Sequence, residues 1–177
     1  FGYEIQLTEM LYEGIFENIT SEALSALVAA TIHQGRPRDT YPKYVLRPIQ
    51  ELLRRAKRVV EHARDQEVMS GLKSTIKQLD ESMSAAIYEY ANGCDFYRLN
   101  KFTSAAPGDF VRIARMTVQY LRHLERLLKE SDPQLAETAQ RAIKQIYRGP
   151  VDVRAELGLN AQEFESTKTA RTGEESE

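Results

Sequence analysis

Apolar residues recur along most of this chain at spacings of three and four, which marks amphipathic helices. Met10, Leu11, Ile15, Phe16 and Ile19, followed by Leu24, Leu27, Val28 and Ile32, predict a helical hairpin over residues 5–32. Gly14 is placed to stop its first helix and Thr20 to cap its second. The polar stretch HQGRPRDTY, residues 33–41, holds Gly35 and Pro37 and reads as a loop. After it, Val45, Ile49, Leu52, Leu53, Ala56, Val59, Val60 and Ala63 form one long stripe, with Arg47, Arg54, Arg55, Lys57, Arg58 and Arg64 around the remainder. Past a turn or kink at Ser70 and Gly71, the spacing of Leu72, Ile76, Leu79, Met83 and Ile87 continues the helical pattern.

Tyr88, Tyr90, Phe96, Tyr97 and Phe102 make residues 87–102 the most aromatic part of the chain, with Gly93 as a helix-ending residue. Such rings either anchor loops onto a core or stand exposed for stacking on bases, and burial habits favour the anchor. Residues 107–129, PGDFVRIARMTVQYLRHLERLLK, predict a long helix of two unlike faces. At about 100° per residue, Phe110, Ala114, Thr117, Leu121, Leu124 and Leu128 share the side to be buried. Arg112, Arg115, Gln119, Arg122, Arg126 and Lys129 gather within a sector of roughly 100° on the other. In the next helix Ser131 or Asp132 caps, Pro133 takes the first turn, Leu135, Ala139, Ala142, Ile143 and Ile146 form the stripe, and Gly149 stops it. A short last turn over residues 151–157 is expected to fold back. The pattern predicts an all-α fold: a single bundle of about five to seven helices over residues 1–160, then a disordered polar tail over residues 161–177.

Composition narrows this picture only a little. At 177 residues, 42% hydrophobic and 28% charged, the chain suits one ordinary globular domain. No apolar run approaches the roughly 20 residues that span a bilayer, so a soluble protein with no membrane partner is expected. The net charge of −2 supplies no global attraction to nucleic acid, and any such binding requires a local patch. A lone cysteine, Cys94, suits a reducing compartment and predicts a cytoplasmic protein. The chain opens FGYEIQ, without an initiator methionine, as an excised piece of a longer polypeptide would.

Catalytic chemistry is not indicated. His33, His62 and His123 are far apart and none belongs to a Glu-x-x-His pair, so no metal site is expected. A phosphate-cradling Gly-rich loop is missing, as is any recognisable nucleophile motif. The basic stripe leaves two readings open. It is either a solvated face balanced by acids such as Glu125 and Glu130, or a surface for phosphates and bases. Arg112 lies near the helix start, where the dipole disfavours a cation and Asp109 offsets that cost. The cluster Arg54, Arg55, Lys57 and Arg58 reads as solvated surface.

Three pieces in order carry a family resemblance: LTEMLYEGIFENITSEALSALVAA at residues 7–30, IYEYANGCDFYRL at residues 87–99, and GDFVRIARMTVQYLRHL at residues 108–124. Together they resemble the DSHCT domain, the helical C-terminal domain of superkiller-like and antiviral-type DExH-box ATP-dependent RNA helicases, over residues 5–157. In that family the domain follows two RecA-like ATPase domains, a winged helix and a ratchet helix bundle, and helps to enclose the RNA path. The resemblance therefore implies an accessory domain without ATPase activity of its own, with ATP and Mg bound by motor domains that lie elsewhere. It implies as partners those RecA-like and ratchet-helix domains, RNA, and RNA-degradation proteins. Gly108, Asp109, Phe110, Val111 and Arg112 match the family motif, and the resemblance makes Arg112 the first RNA-contact candidate, with Arg115, Gln119 and Arg122 on the same face. The family often has a basic pair after this point, of which this chain keeps Arg115 and replaces the second with Met116. Tyr90 stands where the family often has Trp, ahead of the matching Ala91 and Gly93. The residues after the second helix, Ala30, Thr31, Ile32, His33 and Gln34, depart from the family's acidic or aromatic ones. The alternative role is a helical docking or scaffold module without RNA contact.

Overall fold

The second helix, α2 (Ser21–Ile32), is the hub around which the other elements pack. Its sequence SEALSALVAATI is small or apolar on every side, the pattern of a helix buried all round, and all its residues except Glu22 are buried. The polar side chains it carries inward are satisfied locally: Ser25 Oγ donates to the Ser21 carbonyl and Thr31 Oγ1 to the Leu27 carbonyl, both at 2.9 Å. Thr20 caps it, accepting from the Ala23 amide. The computed structural model describes residues 3–35, 39–71 and 73–156, with no side-chain account of residues 155 and 156. Seven α-helices and three 3-10 segments make up its regular structure, and no strand occurs among the described residues.

α1 (Glu4–Tyr12) precedes α2, and Gly14, at φ +67°, turns the chain between them. Ile15 and Phe16 are buried within that turn instead of extending a helix. α3 (Gln50–Met69) lies outside the hub against α1. Its stripe is shorter than the sequence spacing suggests, because the 3-10 segment Lys43–Ile49 supplies Val45, Leu46 and Ile49 to the core. Pro48 within that segment lacks the amide a continuous α-helix would use.

Residues 73–83 correct the expectation of a continued helix: they form no helix, although Ile76, Leu79 and Met83 are buried. Helical spacing survives there because tertiary contacts take over the backbone hydrogen bonds. The Asp80 amide donates to the Ala30 carbonyl at 2.9 Å, the Gln6 side chain donates to the Lys77 carbonyl, and Glu67 accepts from the Thr75 amide at 3.0 Å. α4 (Ser84–Ala91) begins only after this crossing, and Ser84 Oγ joins it to α2 through the Ala26 carbonyl at 2.9 Å.

After the 3-10 segment Phe96–Lys101 come α5 (Pro107–Leu128) and α6 (Pro133–Ile146), a hairpin that covers α2. Pro133 takes the first turn of α6 and Asp132 caps it by accepting from the Leu135 amide at 3.0 Å. A 3-10 turn at Gly149–Val151 then folds back onto α5, with Val151 fully buried, and α7 (Val153–Glu156) packs on that turn. Pro37, Leu72, Leu157 and the tail expected to be disordered at residues 161–177 lie outside the described residues.

Candidate nucleic-acid interface

α5 buries the side its pattern marks. Phe110, Ala114, Thr117, Leu121, Leu124 and Leu128 all face the core, joined by Ile113 and Val118. Its N-terminus sits on aromatics: Phe110 meets Tyr90 edge-on at 5.2 Å between centroids and tilts against Phe96 at 5.9 Å. That contact settles the aromatic stretch mostly in favour of an anchor, since Tyr90 is fully buried and Phe96 half-buried, while Tyr97 is exposed. Pro107 occupies the first turn, where its missing amide costs nothing. Asp109 stands 3.9 Å from the Arg112 guanidinium, and Val111 is half-buried. A β-carbon on Gly108 would meet nothing within 4 Å.

The basic stripe is divided by residues 147–154. Arg115 turns toward the C-terminal 3-10 turn and donates to the carbonyls of Pro150 at 2.8 Å and Val151 at 3.2 Å. Arg122 lies over the Tyr147 ring at 4.8 Å, and Arg154, itself paired with Asp152 at 2.7 Å, approaches the same ring at 5.5 Å. Guanidiniums used this way stabilise the fold through charge-assisted hydrogen bonds and cation–π contact. Arg112, Gln119, Arg126 and Lys129 are exposed, as is Arg122 despite its ring contact, whereas Arg115 is half-buried. Four candidate contacts therefore separate into an outward pair, Arg112 and Gln119, and a pair engaged by the C-terminal turns, Arg115 and Arg122.

Beside the outward pair runs a groove of about 410 Å³ that the sequence pattern does not mark. Tyr3 and Glu4 form one wall, and Met116, Gln119, Tyr120, His123 and Arg126 of α5 form the other. Tyr3 packs edge-on against Tyr120 at 5.9 Å, with the Lys77 ammonium 5.7 Å from the Tyr3 ring. Burial, with smaller contributions from Glu4 and Tyr3, raises the Tyr120 pKa and keeps that phenol a hydrogen-bond donor. Met116, which the resemblance marks as a departure, lies on this wall at the border of the stripe, its sulfur 3.9 Å from the Arg112 guanidinium. Only folding could place Tyr3 here, because more than a hundred residues separate it from α5 in sequence. The groove combines apolar and aromatic walls with an amide, an imidazole and a cation at its edge, which suits a flat heterocycle attached to an anionic backbone.

No group of three or more His, Cys, Asp or Glu able to hold a metal ion occurs among the described residues, and none of their helices is long and apolar enough to cross a membrane.

The model of the DSHCT (NUC185) domain family matches residues 2–154. The chain is 26% identical over 148 residues to the DExH-box ATP-dependent RNA helicase DExH9 of Arabidopsis thaliana, covering 82% of this chain and 15% of that protein. It is 23% identical over 124 residues to the exosome RNA helicase MTR4 of Mus musculus, covering 68% of this chain and 12% of the relative. Against the ATP-dependent RNA helicase mtr4 of Schizosaccharomyces pombe it is 21% identical over 126 residues, covering 70% and 11% respectively. The chain thus spans between a tenth and a sixth of the length of these relatives.

Proposed function

The chain belongs to the DSHCT domain family, and from that membership we propose that it serves as the helical accessory domain of a DExH-box ATP-dependent RNA helicase. In this reading it packs against the RecA-like and ratchet-helix domains and lines part of the RNA path with the outward side of α5. ATP and Mg bind in the parent's motor domains, and the domain alone hydrolyses no ATP. Its lone thiol fits a reducing compartment, which we take to be the cytoplasm.

The observation that carries the RNA reading is the joining of exposed Arg112, Gln119 and Arg126 to the groove walled by Tyr3, Tyr120 and His123. Arginine can hold phosphate with several fixed donors, and tyrosine or histidine can take the face of a base. The test is RNA binding and unwinding by the parent helicase with Arg112→Ala and Arg126→Ala together. Weaker RNA binding and a shallower salt dependence are expected, and unchanged binding with unchanged unwinding would overturn the proposal.

A docking module, with RNA-degradation proteins as candidate partners, is the second reading. It is favoured by the commitment of Arg115 and Arg122 to internal contacts and by exposed Tyr12, Tyr97 and Leu127. In that case the double substitution leaves RNA binding intact while altering assembly with neighbouring domains.

A further inference from the structure

We infer that residues 43–58 form a second surface for single-stranded RNA, separate from α5, where arginines hold the phosphate backbone and Tyr44 stacks on a base. The inference rests on the proposed RNA role of the parent protein and on residues that the α5 reading does not use. This span carries Lys43, Arg47, Arg54, Arg55, Lys57 and Arg58 against one acid, Glu51, in a chain whose net charge is −2. Positive charge is therefore concentrated here while the rest of the chain is acidic on balance.

Part of that charge is internally engaged and part is not. Arg54 pairs with Glu51, whose other oxygen lies 3.8 Å from Arg58, and Lys57 pairs with Glu81 at 2.7 Å. Lys43, Arg47 and Arg55 are exposed and make no ion pair or side-chain hydrogen bond among the described residues. Glu51 is thus held by two cations of the same surface, and three cations carry no ion-pair partner among the described residues.

Local geometry lines these groups up. The 3-10 segment Lys43–Ile49 eclipses side chains three apart, so Tyr44 and Arg47 stand on one ridge, with Gln50 next in the same register at the start of α3. Tyr44 is 63% exposed, on the ridge that also carries the exposed Arg47. Helical spacing then carries the exposed track onward through Arg54 and Arg58. Alongside runs a groove of about 320 Å³ with Leu46 and Leu53 in its wall and Lys43, Gln50, Arg54 and Lys57 at its edge. An apolar wall with a cationic edge accommodates a base and its phosphate together. α3 packs chiefly against α1 and its own 3-10 segment, and the residues of this surface belong to neither α5 nor its groove.

RNA fits this surface better than an acidic protein segment does. Four of its six cations are arginines, whose planar forks match phosphate oxygens, and every nucleotide brings a base face to Tyr44 whereas carboxylate side chains bring none.

The test measures fluorescence anisotropy of a labelled oligoadenylate of about 20 nucleotides with the full 177-residue chain, from roughly 50 to 200 mM salt. Arg47→Ala with Arg55→Ala should weaken binding about tenfold and flatten the logarithmic salt slope by about 1.4, the value for two lost single-strand phosphate contacts. Tyr44→Ala should weaken binding severalfold and leave the slope alone, which separates stacking from charge. Circular dichroism of each variant reports folding, and all three substitutions are at exposed positions. If Arg112→Ala with Arg126→Ala weakens binding while Arg47→Ala with Arg55→Ala does not, the second surface is overturned and the α5 reading stands. The opposite pattern upholds the second surface and sinks the α5 contact. Absence of RNA binding at the lowest salt, or displacement of RNA from this surface by poly-glutamate as readily as by unlabelled oligoadenylate, overturns the inference as well.

Discussion

Tyr90 and Arg148 grip each other at both ends. The Tyr90 hydroxyl donates to the Arg148 carbonyl at 2.7 Å, while the Arg148 guanidinium donates to the Tyr90 carbonyl at 2.7 Å and lies 3.9 Å from the centre of its ring. The same guanidinium reaches the Cys94 carbonyl at 2.8 Å, so one side chain closes the end of α4 and fixes the exit of α6. Tyr90→Phe should cost about 1–2 kcal/mol, because the carbonyl it leaves behind loses its donor. Arg148→Leu should cost at least as much. A double-mutant cycle by urea denaturation should return a coupling of about 1 kcal/mol or more, and simple additivity would show that the two groups act independently.

Gly149 follows this clamp at φ +53°, and a β-carbon there would come 3.2 Å from the Tyr90 hydroxyl. Gly149→Ala should therefore destabilise by about 1–2 kcal/mol through the left-handed backbone alone, with any shift of Tyr90 adding to it. Differential scanning calorimetry of this variant beside Tyr90→Phe would reveal whether the effects overlap, as a shared contact requires.

Arg112 and Arg115, three residues apart on α5, should respond differently to removal. Arg115→Ala strips two carbonyls of their donor and should lower stability by about 1–3 kcal/mol, with RNA affinity altered only through the fold. Arg112→Ala should leave the thermal midpoint within about a degree or two, since its ion pair is exposed and long, and flatten the salt slope of RNA binding. Equal loss of stability in both would contradict the division of the stripe.

Gly108 meets no neighbour that a methyl group would disturb. Within the helical first turn, Gly108→Ala should raise stability by about 0.4–1 kcal/mol by restricting the unfolded chain. A fall in the denaturation midpoint would mean that the start of α5 is packed more closely than this geometry allows.

His33 is buried, and neither ring nitrogen has a hydrogen-bond partner among the described residues. Burial lowers its pKa from the ordinary 6.5, outweighing the opposing pull of Asp80 and Asp39, with Arg112 adding to the lowering and Asp109 opposing it. The unfolded chain then takes up the proton more readily than the folded one. Stability should accordingly be full above the ordinary value and decline as pH falls below it toward the depressed one. Urea midpoints measured between about pH 7.5 and 5 should fall for the native chain and fall less for His33→Leu. Parallel profiles would assign the decline to other groups.

The helices of this fold are legible where the pattern is strong. α5 and α6 follow their periodicity, and the caps at Thr20 and Asp132 stand where short polar side chains precede apolar runs. Residues 73–83 defeat the same reasoning, since the bonds that hold them come from Gln6, Ala30 and Glu67, whose proximity is a product of tertiary structure. The candidate site is legible to the same extent. Sequence spacing locates Arg112, Arg115, Gln119 and Arg122 on one side of a helix, yet it contains no sign that Pro150, Val151 and Tyr147 would engage two of them. Tyr3 is invisible as a wall of the groove for a like reason: more than a hundred residues separate it from Tyr120.

The fold-back of residues 147–151 onto α5 also ties the direction of two α5 side chains to a segment remote from them in sequence. Whatever loosens residues 147–151 releases the guanidiniums of Arg115 and Arg122 together, without any change in the sequence of α5. Their positive charge is the same in either case, so a displaced turn would change where the two cations point and not how many the helix carries.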